Sequence, residues 1–240
     1  WLAGQEDKLE IFRGHGKIYE YLASKIFRKN INTVTKAQRF VGKIGELACG
    51  YGGGAGALQG MAEVYKVTMS ELDANRIKYH WRRTNPHITE FWKAVEGAAV
   101  TAIHSKKVER VRGIAFVVKN NFLVCQLPSG RRLYFHRPEL KANKVCMFKT
   151  RDDSATSLPE TEITHIYSPQ VYPSYAHFEE RSFRETGEAP FEFTTQSVQF
   201  WGVNSKTRKW CLLDTYGGKL VENITQAVAR DLMAESMLAL

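Results

Sequence analysis

Near residue 109 the spacing of the apolar residues changes, and that change limits what this chain can fold into. Up to about residue 103 they recur at intervals of three and four, as in "KIYEYLASKIF" (17–27), "AGALQGMAEVYKV" and "SELDANRIKYHWRR". That spacing is the buried stripe of amphipathic helices. From 109 onward "GIAFVVKN", "FLVCQL" and "RRLYFHR" are short segments of period two, with "PSG" as a turn before the last. Such runs read as strands. "SVQFWGVN" and "RKWCLLDT" predict a hairpin around "NSKT", and a long amphipathic helix from about Lys219 closes the chain. The expected fold is therefore α+β, mostly helical at first and then antiparallel. Residues 150–195, rich in Asp, Ser, Thr, Pro and Glu, read as loop.

Helix starts are marked locally. Thr35 can cap a helix running to about Gly50, and Ser70 with Asp73 three residues on comes close to a capping box. Pro86 opens "HITEFWKAVEGAAVTAI", where its missing N–H is tolerated. Trp81 and Trp92 at helical positions read as core.

Composition excludes several classes of function. No run of eighteen apolar residues exists in the 240, so no transmembrane helix is expected. "WLAGQEDKLEIF" lacks the basic and apolar regions of a signal peptide. The four cysteines (49, 125, 146 and 211) are too far apart for a metal knuckle and suggest no disulfide framework, which points to a reducing cytoplasm. Thirty-four Lys and Arg against 25 Asp and Glu leave a net charge of +9, which favours a polyanionic partner. Trp1 at the start, and an apolar end without a capping glycine or basic final turn, suggest an internal piece of a longer protein.

The segment most suggestive of chemistry is "AQRFVGKIGELACGYGGGAG" (37–56), in which Arg39, Lys43, Leu47 and Tyr51 recur every four residues. On a helix each such step drifts only ~40° and rises ~6 Å, so the four form a stripe roughly 18 Å long. Arg offers a planar fork of donors and Lys a mobile point charge, so cations on neighbouring turns can address adjacent phosphates. Tyr51 can stack on a base, and the glycines of "GYGGG" let the helix stop or pivot. The same pattern also describes a solvated basic face ending in a glycine cap. A Walker A loop would need Gly at 37 and Ser or Thr at 44, where Ala37 and Ile44 stand. A dinucleotide fingerprint would need a strand before the glycines, where a helix is expected.

"RFVGKIGELACGYGG" resembles motif B, the fingers helix of DNA polymerase I-like (family A) DNA polymerases, and especially its form in phage replicative enzymes. The pattern matches at Arg39, Lys43, Tyr51 and Gly52, while Leu47 stands where an aromatic is usual. Other landmarks follow in family order. "WLAGQEDKLEIFRGHGKIYEYLASKIF" resembles the segment after motif A, with Tyr19 at a position that is often His. "LPSGRRLYFHRP" resembles the element near the nascent duplex, and "DTYGGKLVENITQAVARDLMAE" the helix before motif C.

The resemblance implies that Arg39 and Lys43 hold the incoming triphosphate, that Tyr51 packs at the nascent base pair, and that Gly52 and Tyr19 belong to the same nucleotide-binding site. It also implies that Arg131, Arg132 and Gln226 contact DNA. The implied division is a palm-to-fingers segment over 1–34, fingers over 35–108, and palm over 109–240 up to the helix before motif C. Primer–template DNA and deoxynucleoside triphosphates are the implied partners. Two Mg²⁺ ions are the implied cofactor, with ligands in motifs A and C outside this sequence, so the fragment alone is expected to be inactive.

No metal ligand is expected within the chain. Asp214 and Glu222 match neither metal motif, and His80, His136 and His177 lack partners at catalytic spacing. The alternative is a non-catalytic basic nucleic-acid-binding domain, which needs neither Lys43 nor a Tyr-Gly hinge at this spacing. Another class of nucleotide-binding enzyme, such as a kinase, is disfavoured by the failed phosphate-loop tests.

Overall fold

A computed structural model describes residues 1–152, 161–167, 172 and 174–239. Helices α1 (Glu6–Arg13), α2 (Ile18–Phe27), α3 (Lys36–Cys49), α4 (Ala55–Val64), α5 (Glu71–Thr84) and α6 (Pro86–Ser105) come first. Strands β1 (Glu109–Val111), β2 (Ile114–Lys119), β3 (Phe122–Gln126) and β4 (Arg132–Asp152) follow, then β5 (Thr161–Ile166) and helix α7 (Tyr175–Thr186). Strands β6 (Phe191–Val203) and β7 (Trp210–Thr215) lead into α8 (Gly217–Leu238). The fold is α+β, as the change of period predicts.

The caps are those read from the sequence. Thr35 Oγ1 accepts from the Gln38 N–H at 3.3 Å while Gln38 Oε1 accepts from the Thr35 N–H at 3.0 Å, a complete capping box at the start of α3. Ser70 Oγ accepts from the Asp73 N–H at 3.1 Å, and Pro86 occupies the first position of α6. The closing helix begins at Gly217, slightly earlier than expected.

The sheet is antiparallel in the order β1-β2-β3-β4-β6-β7, with β5 pairing to the far end of β4. β4 is long enough to pair with β3, β6 and β5 in turn. Its register with β6 breaks between His136 and Glu139, where Pro138 has no N–H to give the ladder. One face of the sheet packs against α6, which also packs against α8. A single buried cluster joins Leu22, Ile44, Phe91, Phe116, Leu123 and Ile224. Trp81 and Trp92 are buried in it with parallel rings 5.6 Å apart, so both are core.

Residues 150–195 depart from the loop expectation. β4 runs on to Asp152, β5 and α7 form, and β6 begins at Phe191. These elements enclose a second small core of Cys146, Phe148, Tyr172 and Phe178. Ser174 caps α7 by accepting from the His177 N–H at 3.3 Å, and Gly187 ends it at φ +77°. Polar composition misleads here because each element buries little surface, so most of its residues face water. Residues 153–160, 168–171 and 173 of the segment lie outside the described residues.

Candidate functional site

Two glycines inside α3 set the geometry of the candidate site. A Cβ on Gly42 would overlap the Tyr19 carbonyl oxygen of α2 and come within 3.1 Å of the Ala23 Cβ. One on Gly45 would meet Leu22 Cδ2 at 2.8 Å. Without side chains at these two positions α3 lies directly on α2, and the opposite face of α3 is left outward. Isolated glycines in a helical pattern are the signal that marks such an approach.

The contact brings Tyr19 beside Arg39. The guanidinium lies 5.2 Å from the Tyr19 ring centroid, and its Nε donates to Glu20 Oε1 at 2.7 Å. Burial raises the Glu20 carboxyl, but a backbone N–H and Arg39 outweigh it and hold it below the usual carboxylate range. Glu20 therefore fixes one edge of the guanidinium fork. One turn on, Lys43 Nζ lies 4.7 Å from the Tyr65 ring centroid, after α4. It forms no salt bridge with a described carboxylate. A half-buried ammonium over a ring face, with no counter-ion, is suited to an added anion. No sequence signal singles out Glu20 or Tyr65.

Behind the stripe, α3 is anchored by Glu46. Its carboxylate accepts from the Lys8 ammonium of α1 and from Trp81 Nε1 of α5 at 3.0 Å, all with little exposure. Burial pushes the Cys49 thiol up to about 12, so Cys49 is a packing residue and not a nucleophile.

The stripe ends just past α3, where the Tyr51–Gly52 turn meets the start of α8. Gly52 takes φ +82° with its Cα side against the Tyr216 ring, and Gly218 packs directly on the Tyr51 carbonyl. Burial, with the Glu222 carboxylate, raises the phenols of both Tyr51 and Tyr216, so both remain protonated hydrogen-bond donors. Gln226, one turn beyond Glu222, is exposed and donates to Glu222 Oε1 at 3.3 Å. Beside Tyr51 opens a largely apolar cleft of about 600 Å³, lined among others by Trp1, Phe12, Leu47, Phe91 and Leu232. Leu47, 42% exposed, forms part of its wall.

The remaining candidates sit apart from the stripe. Arg131 Nε donates to Asp231 Oδ1 at 2.6 Å and Nη2 to the Ala227 carbonyl at 2.7 Å, tying the β3–β4 turn to α8 one residue past Gln226. Arg132 is exposed, and its register opposite Gln126 places it on the sheet face turned away from the core. Arg39 is thus brought to Tyr19 and Lys43 follows one turn on, while Tyr51 and Gly52 meet α8 at the other end of the stripe on the helix that carries Gln226, and Arg132 lies apart.

The histidines remain in structural settings. Burial lowers His80, and the ring of His177 faces the Ser174 hydroxyl at 2.9 Å. Among the described residues no group of three His, Cys, Asp or Glu side chains could hold a metal ion. No helix among them is long and apolar enough to cross a membrane.

No family model matches the sequence. Over 243 aligned residues the chain is 34% identical to the DNA polymerase of Bacillus phage SP02. The chain is related to a segment of a phage DNA polymerase. The match covers the whole chain but 30% of that relative. At that level of identity over every element, the helical half and the sheet both belong to the related segment.

Proposed function

We propose that the chain is the fingers and adjoining palm of a family A phage polymerase, and that α3 is the wall against which the incoming deoxynucleoside triphosphate is held. The observation that carries this reading is the order of groups along α3. A guanidinium anchored on one edge comes first, then an ammonium without a counter-ion, then a phenol at a glycine turn. Charge-assisted contacts from Arg39 and Lys43 would take adjacent phosphates, while Tyr51 packs beside the base being paired. Gln226 and Arg132 are assigned to DNA. Arg131 acts through α8, since its Nε and Nη2 are already engaged there. The role in phage DNA replication belongs to the same proposal.

Two Mg²⁺ ions, if used by the complete protein, would supply charge neutralisation at the transferred phosphate. Among the described residues no group of three His, Cys, Asp or Glu side chains that could hold a metal ion is present, and on this reading the ligands come from other segments of the complete protein.

The test is single-nucleotide incorporation by the complete protein carrying Tyr51→Ala. Loss of a packing surface worth about 1–3 kcal/mol should reduce the matched-to-mismatched ratio of kcat/KM by roughly ten- to two-hundredfold. If both rates fall together and the ratio is unchanged, Tyr51 is a helix-end packing residue and the assignment is wrong.

A further inference from the structure

The sheet face turned away from α6 carries a row of rings that the polymerase reading does not use. Tyr134 meets Phe122 edge-on at 5.9 Å, Phe122 meets His136 at 5.1 Å, and His136 meets Trp210 at 5.8 Å. The register explains the row. Phe122 lies opposite His136, and Tyr134 opposite Val124, all on the face opposite to Leu123 and Phe135, which are core. Tyr134 and Trp210 are 58% and 57% exposed, so their rings are open to a ligand. Buried aromatic surface lies on the other face, so these rings contribute little to the core.

Cations border the row. Lys119 lies opposite Phe122 on β2, Arg132 precedes Tyr134 on β4 at the other end of the ladder, and the β6–β7 turn next to Trp210 carries Lys206, Arg208 and Lys209. None of these five forms a salt bridge with a described carboxylate. Two carboxylates share this face: Asp214 is paired with Lys141 at 3.4 Å, and exposed Glu139 lies opposite Gln199 just past His136. Rings that offer π-faces, bordered by unpaired cations, form the combination that holds single strands through stacking and phosphate contacts without reading sequence. Cations thus outnumber carboxylates around the row, a bias that a protein-docking surface does not need.

We infer that this face binds unpaired single-stranded DNA, namely the template strand before it reaches the pairing site. Trp210 is at the far end of β7 from Tyr216, roughly 17 Å along the strand, and Tyr216 rests on Gly52 at the end of the α3 stripe. A strand leaving the row therefore has only one strand length to travel to Tyr51. This choice of template strand rests on the polymerase reading, whereas the affinity for single-stranded DNA does not.

The experiment measures the affinity of the complete protein for three labelled DNA hairpins: one with a 5′ template overhang, one blunt, and one forked with a displaced strand. Tyr134→Ala/Trp210→Ala should weaken the overhang hairpin roughly ten- to hundredfold and leave the blunt one unchanged. Lys206→Glu/Lys209→Glu, on an exposed turn, should weaken the overhang hairpin and flatten its salt dependence by about one to two units of slope. If the ring variant does not fold, this second variant decides alone. Overhang affinity unchanged in the folded variants overturns the inference, and is the result expected of a face that docks a protein. Equal loss on the blunt hairpin, or loss confined to the fork, overturns the assignment to the template. Primer extension by the unsubstituted protein is read in parallel. Failure to extend with overhang binding intact sinks the polymerase reading and not this one.

Discussion

Gly42→Ala should be destabilising although it places the best helix former in the middle of a helix. At an open helical glycine the same change gains about 0.5–1 kcal/mol. Gly60 of α4 is such a position, with nothing within 4 Å of an added Cβ. At Gly42 the added Cβ would enter the Tyr19 carbonyl oxygen by more than an ångström relative to ordinary contact, and would press on the Ala23 Cβ at 3.1 Å. Backbone cannot rotate away as a side-chain tip can, so α3 must lift from α2. Overpacking of this kind costs about 1–3 kcal/mol.

Gly42→Ala and Gly60→Ala should therefore move in opposite directions, about 2–4 kcal/mol apart, or roughly 5–15 °C in Tm. Lifting α3 also carries Arg39 away from Tyr19 and Glu20. A misplacement near 1 Å can cost about a hundredfold in rate. The assay is thermal unfolding followed by circular dichroism, with incorporation rates measured on the complete protein. A Gly42→Ala protein as stable as wild type, or more so, refutes the close-packing argument. A normal rate in a destabilised protein refutes the link from packing to site.

Two further outcomes follow from the structure. Lys8→Ala should leave the Glu46 carboxylate buried with only Trp81 as partner, costing about 3–5 kcal/mol in urea unfolding, whereas Arg13→Ala on the exposed face of α1 should leave the urea midpoint nearly unchanged. Burial, with Arg181 nearby, lowers His165 to about 4, and its ring stacks on Phe148. Because the folded value lies below the unfolded one, the unfolded chain binds the extra proton. The stability from neutral His165 is thus complete above about 6.5 and lost as pH falls towards 4. Protection factors around β5 and α7, in which the slowing of intrinsic exchange at lower pH is divided out, should fall over that window, and His165→Phe should abolish the fall.

Strong local rules made much of the fold legible. The change of period near 109 separates helices from strands, and Thr35, Ser70 and Pro86 mark helix starts that the structure retains. Four-residue spacing puts Arg39, Lys43 and Leu47 in line on α3, whereas Tyr51 lies just past the end of the helix at Cys49. Tertiary choices were not legible. Glu20 and Tyr65 come to Arg39 and Lys43 only through the packing of α2 and α4 on α3. Arg131 reads as a free cation until Asp231, a hundred residues later, is seen to hold it. The second core around Phe178 was hidden by polar composition, because a lobe with few buried residues has the average composition of a loop.

The central claim is that Lys43 serves the incoming nucleotide and not the duplex. Lys43→Ala in the complete protein should lower kcat/KM for the matched deoxynucleotide by about a hundredfold or more, as expected for a lost contact to a transferring phosphate. The Kd for primer–template DNA and its salt dependence should stay within about twofold of wild type, since no duplex phosphate contact is removed. A loss of DNA affinity in proportion to the loss of rate would contradict the claim and identify the stripe as an ordinary basic groove.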